Sequence, residues 1–142
     1  MIVLDTNVLS ELIRPAPALE VKSWLLQGTK GEALVTTVIT VSEIEYGLNR
    51  LPDSRRRKEL EERFAALTGA HFEFAVLSLD EEAARLAGRM RGRREAMGLH
   101  AQSADMMIAA ITALAGASLA TRNVKDFTET GIRIVNPWGM TN

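Results

Sequence analysis

The sequence predicts an α/β fold, with a central parallel sheet of about five strands and helices on both faces. Three observations lead there. The chain opens on a short apolar run, Met1-Ile2-Val3-Leu4, that stops at Asp5; so short a run with β-branched residues reads as a buried parallel strand. Further strand-like runs then alternate with segments of helical periodicity. No linker, repeat or low-complexity stretch interrupts the 142 residues, so residues 1–142 read as one domain.

The elements follow in order. After Asp5, the apolar residues Val8, Leu9, Leu12 and Ile13 share one helical face, and Pro15 and Pro17 end that helix. Ala18 to Gln27 reads as a second helix, with Leu19, Val21, Trp24 and Leu25 inward and Gly28 as its stop. Ala33 to Thr37 is a strand. Thr40 to Leu51 is a helix ending before Pro52-Asp53-Ser54. Arg55 to Leu67 is a charged amphipathic helix closed by Gly69, and this second helix in succession suggests an excursion from the sheet. Phe74 to Leu77 is the third strand. Asp80 to Met97 is a helix, with Ser78 and Glu81 at capping-box spacing. Ser103 to Ala115 is an Ala-rich helix, apolar almost all round. Ser118 to Thr121 and Ile132 to Val135 complete the strands.

Composition removes several chemistries. With no cysteine there are no disulfides, thiolate metal sites or cysteine nucleophiles, which suits a reducing cytoplasm. The N-terminus lacks the pattern of a signal peptide, and no apolar run approaches the about 18 residues of a membrane span. The expected setting is therefore cytoplasmic, with no membrane. His71 and His100 have no partners at zinc spacing and read as surface residues. No glycine-rich phosphate loop is present, and Ser42 and Ser103 lack the glycines of a nucleophile elbow. The Met106-Met107 pair, Trp24 and Trp138 read as core or edge packing. The net charge is −1, too low for electrostatic binding of nucleic acid by the whole surface. Arginine nevertheless supplies 13 of the 17 basic residues, many of them in Arg55-Arg56-Arg57-Lys58 and in Arg89 to Arg94. Those clusters read either as two solvated helix faces or as local phosphate contacts.

The carboxylates carry the chemistry. Open α/β sheets bind ligands beyond the carboxyl ends of their strands, and that is where Asp5 is delivered. Of the five Asp residues, Asp53 and Asp80 precede helices and read as caps. Asp105 stands nearly alone among apolar residues; a first-turn Asp favoured by the helix dipole explains its position but not that isolation. Glu43 has capping-box spacing from Thr40, yet it also faces the edge that carries Asp5. Asp126 follows the strand that ends at Thr121, as a loop or cap residue or as a further acid at the same edge. Strand-end geometry could thus bring Asp5, Glu43, Asp105 and Asp126 together. Ionised carboxylates cannot cluster without compensating charge, and oxygen-only ligands suit a hard cation, Mg²⁺ or Mn²⁺.

Four segments carry a family resemblance: Ile2 to Glu11, Thr40 to Gly47, Ala104 to Ala110, and Ala120 to Phe127 with the closing Asn136-Pro137-Trp138. In this order and spacing the chain resembles PIN-domain proteins, and within them the VapC and FitB-like toxins of bacterial toxin–antitoxin pairs. The resemblance covers the whole chain. It implies a PIN-like parallel α/β fold and a metal-dependent endoribonuclease that cuts RNA with metal-activated water. The family's catalytic acids fall on Asp5, Glu43 and Asp105. At the fourth acidic site many relatives carry Asp directly after Thr-Arg, where this chain has Asn123; Asp126 stands one turn later. The implied metal set is Asp5, Glu43 and Asp105 with Asn123 or Asp126, and Asp126 joins the catalytic acids. Thr6, Ser103 and Thr121 are candidates for orienting water or phosphate. The implied partners are an RNA substrate, a DNA-binding antitoxin and a second copy in a homodimer.

Two alternatives remain at this point. One is a receiver-like Mg²⁺-binding signalling module with Asp80 as phospho-acceptor. The other is a catalytically weak PIN domain that binds RNA or a partner without cutting, as the Asn123 departure allows.

Overall fold

The structure is a computed structural model and describes residues 1–68 and 74–139. Gly69, read as a helix stop, and His71 lie outside the described residues. The five strands are β1 (Ile2–Leu4), β2 (Leu34–Thr37), β3 (Ala75–Leu77), β4 (Ser118–Ala120) and β5 (Arg133–Val135). The helices are α1 (Thr6–Leu12), α2 (Leu19–Ser23), α3 (Val38–Arg50), α4 (Arg55–Thr68), α5 (Glu81–Ala96) and α6 (Ser103–Leu114). The sheet is wholly parallel, in the order β3-β2-β1-β4-β5.

Side chains of β1 alternate between two cores, as a pleated strand buried on both faces must. Val3 joins Val35 and Leu119 under α5 and α6, with Ala87, Met90, Met106 and Ile108. Ile2 and Leu4 face Val8, Leu9, Trp24, Ile44 and Phe64 on the other side. Helices therefore cover both faces, as the sequence predicts. α4 breaks the strand–helix alternation without leaving the fold, because Leu60 and Phe64 pack into the second core.

The strand order reverses direction between β1 and β4, the two neighbours that leave the sheet centre on opposite sides. A crevice opens beyond the strand ends at such a switch point. The β1–β4 register sets Leu4 beside Ala120, so Asp5 and Thr121 leave the sheet together.

Four local expectations are corrected. The second helix is not one α-helix to Gln27; α2 stops at Ser23 and a wider π-turn, Trp24–Gly28, follows. In this geometry Val21 and Trp24 are buried, while Leu19 points outward at 78% exposure. The cap of α3 is Thr37, whose hydroxyl accepts from the Thr40 amide at 3.2 Å, so α3 starts earlier and Glu43 has no capping role. Asp80 caps α5 by accepting from the Ala83 amide at 2.8 Å, and the Ser78–Glu81 box does not form. Ser54, not Asp53, serves α4, accepting from the Arg57 amide at 3.2 Å.

Candidate active site

Asp5 is the N-cap of α1 and sits 4% exposed at the switch point. One carboxylate oxygen, Oδ1, accepts from the Thr6 amide at 2.8 Å. The other, Oδ2, accepts from the Thr121 hydroxyl at 2.7 Å and from the Asn7 side-chain Nδ2 at 3.3 Å. Burial raises the pKa of Asp5, the nearby Glu43 carboxylate adds to the rise, and the hydrogen bonds from Thr121, Thr6 and Asn7 oppose it.

The other acids reach the same place from three elements. Glu43, from the second turn of α3, accepts the Thr6 hydroxyl proton at Oε1, and Thr6 Oγ1 lies 3.1 Å from Thr40 Oγ1. Asp105 comes from the first turn of α6. Asp126 comes from a 3₁₀ turn, Val124–Phe127, that follows β4. All four acids line one cleft of about 590 Å³, together with Thr6, Asn7, Glu11, Arg14, Gln102, Arg122, Asn123 and Trp138. Asp105 feels the crowding most: burial first, then the charges of Asp5, Asp126 and Glu43, push its pKa up to about 6, against a lowering by His100.

Two of the positioning candidates do not face the cleft. Ser103 is exposed and absent from its lining. Thr121 is buried behind it, holding Asp5 and accepting the Asn123 amide at 3.1 Å. Asp80, the candidate phospho-acceptor, follows the edge strand β3 as a helix cap away from the acids, which removes the receiver-like alternative.

The arginine clusters also resolve. Arg55, Arg57, Arg85 and Arg91 pair with Glu59, Glu61, Glu81 and Glu95 one turn away on their own helices. The cleft takes its cations from Arg14, which pairs with Glu11 at 3.3 Å, and from Arg122. Arg56 lines a neighbouring groove that shares Glu43 and Arg14. Arg94, from the second cluster, is 2% exposed and not a surface residue at all. Its guanidinium donates to the carbonyl of His100 at 2.7 and 3.0 Å, to Lys125 at 3.4 Å and to the Thr128 carbonyl. It thereby ties the segment entering α6, which carries Asp105, to the turn carrying Asp126. Sequence reasoning missed Arg94, because a cluster of arginines hides which one turns inward. It also missed Asn7 and Gln102. Asn7 links Asp5 to the β4 loop by accepting the Arg122 amide at 3.1 Å.

The donor set is all oxygen, and the charges of Asp5, Asp126 and Glu43 raise the pKa of Asp105, so the residues fit a hard divalent cation. Among the described residues no three acidic or imidazole groups stand at the spacing of a ready-made cluster. An ion that keeps several of its own waters, as Mg²⁺ does, suits such a looser ring.

Known proteins share this fold and sequence. The PIN domain family matches residues 2–132. The chain is 34% identical over 138 residues to VapC ribonuclease Y4jK of Sinorhizobium fredii, covering 97% of this chain and 98% of the relative. It is 32% identical over 138 residues to the toxin FitB of Neisseria gonorrhoeae, covering 97% and 99%. The fold superposes on a solved structure of FitAB bound to a DNA fragment with a TM-score of 0.86 and 30% identity, across 100% of this chain and 99% of that one.

Proposed function

The chain belongs to the PIN-domain family, and on that premise we propose that it is a metal-dependent endoribonuclease, the toxin of a toxin–antitoxin pair. The observation that carries this reading is the meeting of Asp5, Glu43, Asp105 and Asp126 in one cleft at the sheet's switch point. The ribonuclease and toxin relatives, aligned over nearly the whole chain, support a hydrolase acting on RNA phosphodiesters.

Asp5, Glu43 and Asp105 would hold Mg²⁺ or Mn²⁺, with Asn123 or Asp126 completing the set. When bound, such an ion polarises the phosphate and lowers the pKa of a coordinated water to supply the nucleophile. The protein's own part is positioning. Thr121 and the Thr6 amide fix the two Asp5 oxygens, so the carboxylate faces the cleft in one orientation. Thr6 fixes Glu43 with its hydroxyl. Arg122 gives the anionic cleft a cation for a phosphate, and Gln102 adds a neutral donor. Metal-free, Asp105 shares the cleft's excess negative charge, which favours capture of a cation.

The partners in this reading are RNA, a DNA-binding antitoxin that silences the toxin, and a second copy in a homodimer, all in the cytoplasm. The FitAB complex on DNA supports the antitoxin assignment. Induced expression in a bacterial host tests the function: growth arrest is expected, relieved by Asp105→Ala and by a co-expressed antitoxin from the neighbouring reading frame. Arrest that persists in Asp105→Ala would contradict cleavage as its cause and favour a PIN domain that binds RNA without cutting it.

A further inference from the structure

We propose that Arg122, Trp138 and the cavity behind Trp138 form a nucleobase subsite, which seats the base of a nucleotide next to the cleaved phosphate of a single-stranded RNA. The inference rests on the nuclease reading and extends it to substrate recognition.

Trp138 is the shared wall of two cavities. It lines the carboxylate cleft, and the same residue lines a neighbouring cavity of about 740 Å³ with Leu19, Glu20, Trp24, Gln27, Lys30 and Val135. That volume lies within the about 300–1,000 Å³ of small-ligand sites, ample for a base with its ribose. A nucleotide is an apolar plane joined to an anion. The two adjoining spaces offer a similar pair of environments: on one side a cavity whose aromatic and aliphatic walls are edged by Glu20 and Lys30, on the other a cation-bearing phosphate cleft.

Arg122 joins the two halves. Its guanidinium carbon lies 4.9 Å from the Trp138 ring centroid, and it makes no ion pair among the described residues. An exposed arginine held over an indole keeps its charge available while being ordered, which suits both phosphate contact and stacking. Arg122 is anchored to the catalytic frame, and Trp138 to its own turn after β5. The Arg122 amide donates to Asn7, whose side chain donates to Asp5. The Trp138 amide donates to Asn136 Oδ1 at 2.9 Å just after β5. Trp24 also lines the cavity, beside the polar side chains of Ser23 and Lys30. Gln27 adds an amide able to pair with a base edge.

Trp24 and Trp138 are the only tryptophans, so intrinsic fluorescence reads the subsite without catalysis. In the full-length Asp105→Asn chain, hexauridylate and hexaadenylate are titrated beside an abasic hexamer of equal charge. The expected result is quenching by the base-bearing hexamers alone, reduced in Trp138→Phe to the share that Trp24 supplies, with Kd raised about tenfold in Trp138→Ala. In the otherwise native chain, Trp138→Ala is expected to raise KM about tenfold with kcat within about threefold. Should Trp138→Ala fail to fold, Arg122→Ala is read instead, with a KM rise of at least about threefold. Equal quenching by the abasic hexamer, no quenching by any hexamer, or an unchanged KM would overturn the subsite. So would quenching by an antitoxin alone, which would assign the cavity to that protein. A native chain that binds hexamers as expected but cuts none of them would overturn the nuclease reading while leaving the subsite standing.

Discussion

The Thr121 hydroxyl donates to Asp5 Oδ2 at 2.7 Å, a bond between residues 116 positions apart that closes the floor of the cleft. It follows from the parallel pairing of β1 with β4, which delivers both residues past the sheet edge together. Both partners are buried, so loss of the donor leaves a carboxylate oxygen undersatisfied. Thr121→Val is expected to cost about 1–2 kcal/mol in urea unfolding and to raise the Asp5 pKa further, since Thr121 is the largest influence lowering it. Thr121→Ser keeps the hydroxyl and is expected to behave nearly as wild type in both measurements.

Asp105 exchanges stability for function. Its folded pKa of about 6 lies above the ordinary 3.8, so its stabilising share is complete below pH 3.8 and is lost as pH rises through about 6. Asp105→Asn removes that loss. In EDTA at pH 7.5 it is expected to be more stable than wild type by roughly 1 kcal/mol, the shift having been discounted for partial exposure. The difference is expected to vanish near pH 3.5. Added Mg²⁺ is expected to raise the Tm of wild type and leave that of Asp105→Asn nearly unchanged. Thermal melts across pH, with and without Mg²⁺, check all three.

Among the described residues Arg94 has no acidic partner, and its charge is held by backbone carbonyls from two loops. Arg94→Met strands those carbonyls and is expected to destabilise the fold by about 3 kcal/mol. Arg94→Lys keeps the charge without the planar fork and is expected to lose less stability. Hydrogen exchange is expected to speed up in residues 99–103 and 124–130 of Arg94→Lys and to stay as in wild type in β1.

The fourth ligand position can be assigned by exchange of chemistry. Asp126 couples electrostatically to Asp105, whereas Asn123 brings only a carbonyl. Asp126→Asn is expected to weaken Mn²⁺ binding about tenfold and Asn123→Ala about twofold or less, with Asn123→Asp tightening it. Titration of each variant with Mn²⁺ decides; a larger loss in Asn123→Ala would reverse the assignment.

Much of this was legible in the sequence because strand ends are short and chemically marked. Met1 to Leu4 stopping at Asp5 located both the central strand and its carboxylate, and the isolation of Asp105 in an apolar helix marked the second acid. Glu43 was obscured by its spacing from Thr40, which looks like a capping box until Thr37 is seen to take that role. The π-turn at Trp24 was not legible, since one shifted hydrogen-bond step leaves the apolar pattern almost unchanged. Nor was Arg94, because burial of a guanidinium depends on carbonyls from distant loops that no local pattern records. Trp138 read as packing and does pack against the core, but its second face on the cleft appears only when β5 is laid beside β4.

The most direct measurement is the rate at which the purified chain cuts a single-stranded RNA in Mg²⁺, set beside Asp5→Asn at equal protein and with EDTA as a control. The expected result is cleavage that requires Mg²⁺ and falls about a hundredfold or more in Asp5→Asn. Cleavage that is unchanged in Asp5→Asn, or that proceeds equally in EDTA, would contradict the assignment of the carboxylate cleft as a metal-dependent nuclease site.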